Sequence, residues 1–214
     1  MAVAGEDFSP SARESELLEL AYQYALVHGL TDLSLRPLAT AIGSSPRVLL
    51  YLYGSKDGLI RALLARARAD ELDLLGRLPS RNGERSTGLD VVAEQIWSWL
   101  VDTHHRGLLT LWVEAYARSL VEPGGSWAGF ARATVEDWLS LLAMAQPAAE
   151  RNTAAGRAGR SLVLAVLRGA MLDVLATGDV VRTTEAVHQQ LATLRAANNR
   201  TSGQADPADV HATE

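Results

Sequence analysis

The chain has 214 residues, 48% of them apolar and 21% charged, with a net charge of −5 and no cysteine. Such a length holds one large domain or two smaller ones with ample core, and the composition is that of an ordinary globular protein. Missing cysteine excludes disulfides, thiolate metal sites and thiol redox sensing, and the acidic balance argues against non-specific polyanion binding by the whole molecule. Nucleic-acid contact therefore has to rest on a local basic patch. The opening stretch, MAVAGEDFSPSARESE, has neither a basic n-region nor an apolar h-region, so no signal peptide is expected and a cytoplasmic protein fits.

Residues 1–8 read as disordered. Ser9-Pro10-Ser11 opens a first helix, with Ser11 and Glu14 at capping-box spacing. Leu17, Leu18, Ala21, Tyr24, Ala25 and His28 lie along one side, and Gly29 stops it. Ser34 is an N-cap type, and Pro37 falls inside the next first turn, where a missing N–H costs nothing. Leu35, Leu38, Ala39 and Ile42 then recur at helical spacing up to Gly43. Ser45-Pro46 restarts a helix whose apolar side is Val48, Leu49, Leu52 and Tyr53. Gly54 breaks it, and Ser55 caps a longer helix starting at Lys56. Two short helices about a tight turn containing glycine make a helix-turn-helix.

The run Leu38-Ala39, Ile42-Gly43, Ser45, Leu49, Tyr51, Tyr53, Ser55-Lys56 and Leu59 resembles the DNA-binding segment of the TetR family of one-component bacterial regulators. With the preceding helix the match covers about the first quarter of the chain, without a gap. The remainder resembles the family only in helical layout.

The helix from Lys56 runs to about Leu78, with Leu59, Leu63, Leu64, Ala67, Leu72 and Leu75 inward. In the resembling family this element bridges the DNA-binding head and the ligand domain. Pro79–Gly88 is polar and turn-rich, the best linker in the sequence. Helices are then expected over Leu89–His105, Arg106–Val121, Trp127–Ala145, Thr153–Thr177 and Val180–Ala197, with a break at Glu122–Ser126 and a split at Gly178-Asp179. No period-two pattern holds anywhere, so the fold class is all-α. The expected domains are a helix-turn-helix head over 1–55, a helical ligand-binding and dimerisation domain over 56–200, and a floppy tail over 201–214.

The run Ser161–Leu175 is apolar nearly all round, but Arg168 and Asp173 interrupt it and it is too short to span a membrane. A helix apolar on every side must be covered on every side. Either it is central to one subunit, or one face meets a second copy, where Gly169-Ala170 allows close approach. The family pairs its last two long helices across a two-fold axis, which implies a homodimer through residues 153–197.

For DNA, the recognition helix is Pro46–Tyr53. Pro46, Arg47, Val48 and Tyr51 point toward base edges: arginine can bridge guanine O6 and N7, and valine can pack on a thymine methyl. Arg36, Ser45 and Lys56 are the phosphate contacts, Lys56 because the family's Ser-Lys cap matches residue for residue. Relatives often carry Tyr or His where this chain has Leu50 and Leu52, and leucine cannot hydrogen-bond a phosphate.

For a ligand, all five tryptophans follow the linker. Trp97, Val101 and His104 share one helix face, Trp112 and Tyr116 a second, Thr134 and Trp138 a third, and Arg168 adds a polar fixture. Any single tryptophan serves equally well as core. As a set they suit a mostly apolar pocket, and the family resemblance implies one there. His104 and His105 are adjacent and diverge, a poor metal pair. No HExxH, glycine-rich phosphate loop, nucleophile elbow or paired carboxylate is present, so neither a metal nor another cofactor nor catalysis is expected. The expected protein is a ligand-responsive regulator, a repressor of a pseudo-palindromic operator released by a small apolar or aromatic effector. The alternative is an all-helical small-molecule-binding protein that no longer binds DNA.

Overall fold

In the computed structural model, which describes residues 12–76 and 88–203, every regular element is a helix. The α-helices are α1 (Ala12–His28), α2 (Leu35–Ala41), α3 (Pro46–Tyr53), α4 (Lys56–Gly76), α5 (Leu89–Leu100), α6 (Arg106–Val121), α7 (Phe130–Met144), α8 (Ala148–Arg151), α9 (Ala154–Thr177) and α10 (Val180–Gly203). The all-α expectation holds for the described residues. The expected disorder over 1–8, the capping box at Ser11, the linker at Pro79 and residues 204–214 of the expected tail lie outside them, whereas residues 201–203 of that tail are helical.

Several ends differ from the pattern-based reading. Helix α5 stops at Leu100 rather than at His105, and a 3-10 turn covers Thr103–His105. There the Asp102 carboxylate accepts the His104 amide (2.9 Å) and its ring N–H (2.7 Å), a local bond that competes with helix continuation. The His104 amide bond and ring contact hold the Asp102 carboxyl below its usual range. Helix α7 starts at Phe130 rather than Trp127, because Gly129 has φ +76° and no helix passes through that conformation. Helix α10 runs on through Asn198 to Gly203, past the expected end at Ala197. Polarity there does not end the helix, since each added residue gains a backbone bond once a helix is growing.

The described residues form two compact units. One gathers residues 12–74 with 106–136; the other gathers 75–76 and 88–105 with 137–203. They are cut differently from the linear domains expected above, because α6 and much of α4 group with the head.

In the first unit α1 packs on α2 and α6, and α2 on α3. Leu17, Ala21, Tyr22 and Ala25 of α1 are buried, with Leu38, Ala39 and Ile42 of α2 and Leu59, Ile60 and Leu63 of α4. The inward residues of α1 thus include Tyr22, while His28 is exposed and stacks on Tyr24 at 3.9 Å. On α4, Leu72 faces solvent and Glu71 is buried instead. Tyr22 donates its hydroxyl to Asp70 (2.9 Å), the Arg66 guanidinium covers its ring at 4.7 Å, and Arg66 also pairs with Glu19 (2.9 Å). Burial, then the bond to Asp70, pushes the Tyr22 phenol well above its ordinary value.

In the second unit α5, α9 and α10 pack pairwise around Val92, Ile96, Trp97, Leu167, Met171, Val187 and Leu191. Trp97 donates its indole N–H to Thr184 (3.0 Å), and Arg195 of α10 pairs with Asp90 of α5 (2.7 Å). The apolar run on α9 is buried on one side only, at Val163, Leu164, Leu167, Met171 and Val174. Leu162, Ala165, Gly169, Leu172 and Ala176 are exposed at alternating spacings of three and four. No described helix is long and apolar enough to cross a membrane.

Candidate nucleic-acid interface

Helix α2 begins with Ser34 in an extended N-cap conformation, although its hydroxyl makes no capping bond. Its end closes as a Schellman motif: Ser44 N–H donates to Ala39 C=O (2.8 Å) and Gly43 N–H to Thr40 C=O (3.3 Å). That closure needs Gly43 at φ +64°. One residue later Ser45 caps α3, its Oγ accepting the Val48 amide (3.3 Å), with Pro46 at the first helical position. Glycine, serine and proline thus turn the chain between two helices.

The orientation of α3 follows from what it buries. Leu49 is its one fully buried side chain, and Tyr53 donates its hydroxyl to the Glu14 carbonyl of α1 (3.3 Å). Val48, expected on the apolar side, is exposed, as is Leu50; Leu52 is half-buried. Arg47 is exposed and Tyr51 is 86% exposed, so the outward face of α3 carries Arg47, Val48, Leu50 and Tyr51. At the far end the corner into α4 is tight. Ser55 Oγ accepts the Gly58 amide (2.9 Å), and a Cβ on Gly58 would lie 1.9 Å from the Tyr53 carbonyl oxygen.

Beside α3 opens a cleft of about 610 Å³. Thr31, Ser34 and Arg36 line it with Pro46 and Lys56, so the first turns of α2, α3 and α4 border one space. Asp32 is the acid on its wall. The structure thereby brings Arg36, Pro46 and Lys56 together in the cleft, and sets Arg47, Val48 and Tyr51 along α3. Ser45 Oγ is the acceptor of the α3 cap bond. No hydrogen bond or ion pair to another described residue holds the side chains of Arg36, Arg47 or Lys56. From Gly29 to Arg61 four basic residues face two acids, against a chain that is net acidic.

The ligand set divides between the two units. In the first, Trp112 is buried and stacks on Tyr116 at 4.9 Å, and Thr134 is fully buried with its hydroxyl donated to the Ala131 carbonyl (3.0 Å). In the second, Trp97 and Trp138 are buried, while Val101 and Arg168 are half-buried. His104 stands in solvent against Asp102, so it lines no cavity wall. His105 bonds the Trp99 carbonyl and stacks on its ring at 4.3 Å. Trp97 and Thr134 spend their polar atoms within the core.

Solved structures resemble the chain over most of its length. A TetR transcriptional regulator from Legionella pneumophila superposes with a TM-score of 0.64 over 87% of this chain and 98% of that one, at 14% identity. The chain has the TetR fold. The multidrug binding protein EbrR complexed with imidazole gives a TM-score of 0.60 at 22% identity, covering 88% of this chain and 96% of its own. Salmonella enterica GusR gives 0.60 at 18% identity, covering 84% and 93%. No protein-family model and no curated protein sequence matches the chain.

Within this TetR fold one contact escaped the sequence reading. The Glu114 carboxylate of α6 accepts the backbone amides of Leu30 (2.9 Å) and Thr31, in the turn that leads from α1 to the cleft. Nothing in the local pattern around Glu114 points to a partner 84 residues away. The Tyr53–Glu14 anchor was equally unmarked. Gly54 and Ser55 marked the break after α3 in the sequence but Gly58 did not, although the corner depends on it. Gly58→Ala is expected to cost about 1–3 kcal/mol, as inserted bulk does in a packed site. Thermal unfolding followed by circular dichroism checks this: a melting temperature lower by roughly 2–4 °C per kcal/mol is expected, and an unchanged one contradicts the tight corner.

Proposed function

We propose that this protein is a homodimeric, DNA-binding transcriptional regulator of the cytoplasm, a repressor released from its operator by a small apolar or aromatic effector. The observation that carries the reading is the outward face of α3, with Arg47 and Tyr51 uncommitted, beside a cleft that joins Arg36 to Lys56. A helix held at Leu49 and Tyr53 and bare at Arg47, Val48 and Tyr51 is suited to the major groove. Arg47 would then read a guanine edge, Val48 a thymine methyl, and Arg36, Ser45 and Lys56 would seat phosphates.

Dimerisation is supported by the exposed stripe Leu162, Ala165, Gly169, Leu172 and Ala176 on α9, continued by Val180 and Val181 at the start of α10. Small residues between two leucines let a second helix approach closely, and two-fold pairing buries the same stripe from both subunits. Such a dimer presents two recognition helices about 34–36 Å apart, matched to a pseudo-palindrome. For the effector, the stacked Trp112–Tyr116 pair supplies aromatic surface. EbrR, of similar fold, is a multidrug binding protein solved with imidazole and with proflavin, which agrees with flat aromatic effectors.

A second reading, a ligand-binding protein that no longer binds DNA, is favoured by one observation: Leu50 occupies the outward face of α3, 42% exposed, where it offers no phosphate a hydrogen bond. A footprint on the duplex upstream of the protein's own coding region separates the two. Protection of two half-sites supports the regulator, and none at low salt supports the ligand binder.

Arg47→Ala is expected to cost about 1–3 kcal/mol of operator binding and to relax preference at one or two base pairs, read by competition with mutated duplexes. Lys56→Ala should weaken binding to all sequences alike and reduce the salt slope by about one. Leu172→Asp, which places a charge in the α9 stripe, should convert a dimer to a monomer in sedimentation equilibrium while helical content stays unchanged.

A further inference from the structure

Helix α6 meets the end of α1 at two points. At Gly107 a Cβ would stand 2.8 Å from the Leu26 carbonyl oxygen, so the two backbones touch there. Seven residues later, two helical turns on and on the same face, Glu114 reaches the next turn of chain. Its carboxylate takes the amides of Leu30 and Thr31, and a Cβ on Gly29 would lie 3.1 Å from Oε2. An ionised acceptor makes such bonds roughly twice as strong as a neutral one. The residues that follow, Thr31 to Arg36, form one wall of the cleft with Pro46 and Lys56. At about 100° per residue, Trp112 and Tyr116 fall on the side of α6 opposite Glu114.

We infer that Glu114 is a positioning residue for DNA binding: it holds the Leu30–Thr31 turn against α6 and so sets Arg36 where it shares phosphates with Lys56. This rests on the regulator reading above. Load on the Trp112–Tyr116 side of α6 would fall on the helix that grips the turn.

The test uses the full chain as wild type, Glu114→Gln, Glu114→Ala and Ser119→Ala. Ser119, on α6 like Glu114, accepts the Ala131 amide of α7 through its Oγ and has no hydrogen bond to the turn, so it controls for general loosening of α6. Amide hydrogen exchange at Leu30 and Thr31 is read without DNA. Affinity and salt slope are read on the duplex protected upstream of the coding region.

In Glu114→Gln, which keeps shape and one acceptor, exchange at both amides should rise about tenfold, the size expected for a lost charge-assisted bond. Operator affinity should fall by a similar factor, with a shallower salt slope because a phosphate contact is lost. Ser119→Ala should lower the melting temperature while leaving the slope and both amides unchanged. Faster exchange with unchanged affinity and slope overturns the positioning role. Unchanged exchange in both Glu114→Gln and Glu114→Ala overturns the clamp itself. If Glu114→Ala fails to fold, Glu114→Gln alone decides. A wild type that binds no DNA sinks the regulator reading and the positioning role with it, whereas a binding wild type matched by Glu114→Gln sinks only this inference.

Discussion

The head depends on how one eight-residue helix is held. A helix of that length has too few internal hydrogen bonds to stand alone in water, so its neighbours must fix both its existence and its rotation. Leu49 supplies the buried anchor and Tyr53 the directional one, through the Glu14 carbonyl. The Gly58 corner sets where α4 leaves, because no side chain fits against the Tyr53 carbonyl. With those three points set, the face bearing Arg47 and Tyr51 has no protein left to meet. Exposure of two large side chains there is the geometric remainder of the anchoring, and that remainder is what a groove can use.

Electrostatics tell the same story locally. Among the described residues several cations are committed to acids: Arg66 to Glu19 and Asp70, Arg132 to Glu136, Arg182 to Asp173 and Asp179, Arg195 to Asp90 and Glu94. Arg36, Arg47 and Lys56 are not. An acidic protein can thus present a local basic surface where cations are left without acid partners. Charge-pair formation on exposed faces contributes little to stability, so the pattern bears on where the field points more than on how firmly the fold is held.

Glu114 joins the turn before the cleft to a helix that the sequence order assigns elsewhere. A carboxylate on two backbone amides is directional and short-ranged, so a modest displacement of α6 breaks it outright. Packing contacts would instead yield gradually.

Local chemistry was readable along the chain. Ser45-Pro46 marked the start of α3 and Gly43 the left-handed residue that ends α2, because each follows from the φ, ψ and hydrogen-bond needs of its immediate neighbours. The TetR fold was legible through resemblance, since the run from Leu38 to Leu59 is similar to that family's DNA-binding segment. Periodicity also marked α9 as apolar all round, but not which side would be covered. Burial of Tyr22 in place of Tyr24, exposure of His104, the Trp97–Thr184 bond and the reach of Glu114 to Leu30 and Thr31 were left to the tertiary structure. Each joins residues far apart in sequence or chooses between faces of one helix, and only the packing of other helices breaks that tie.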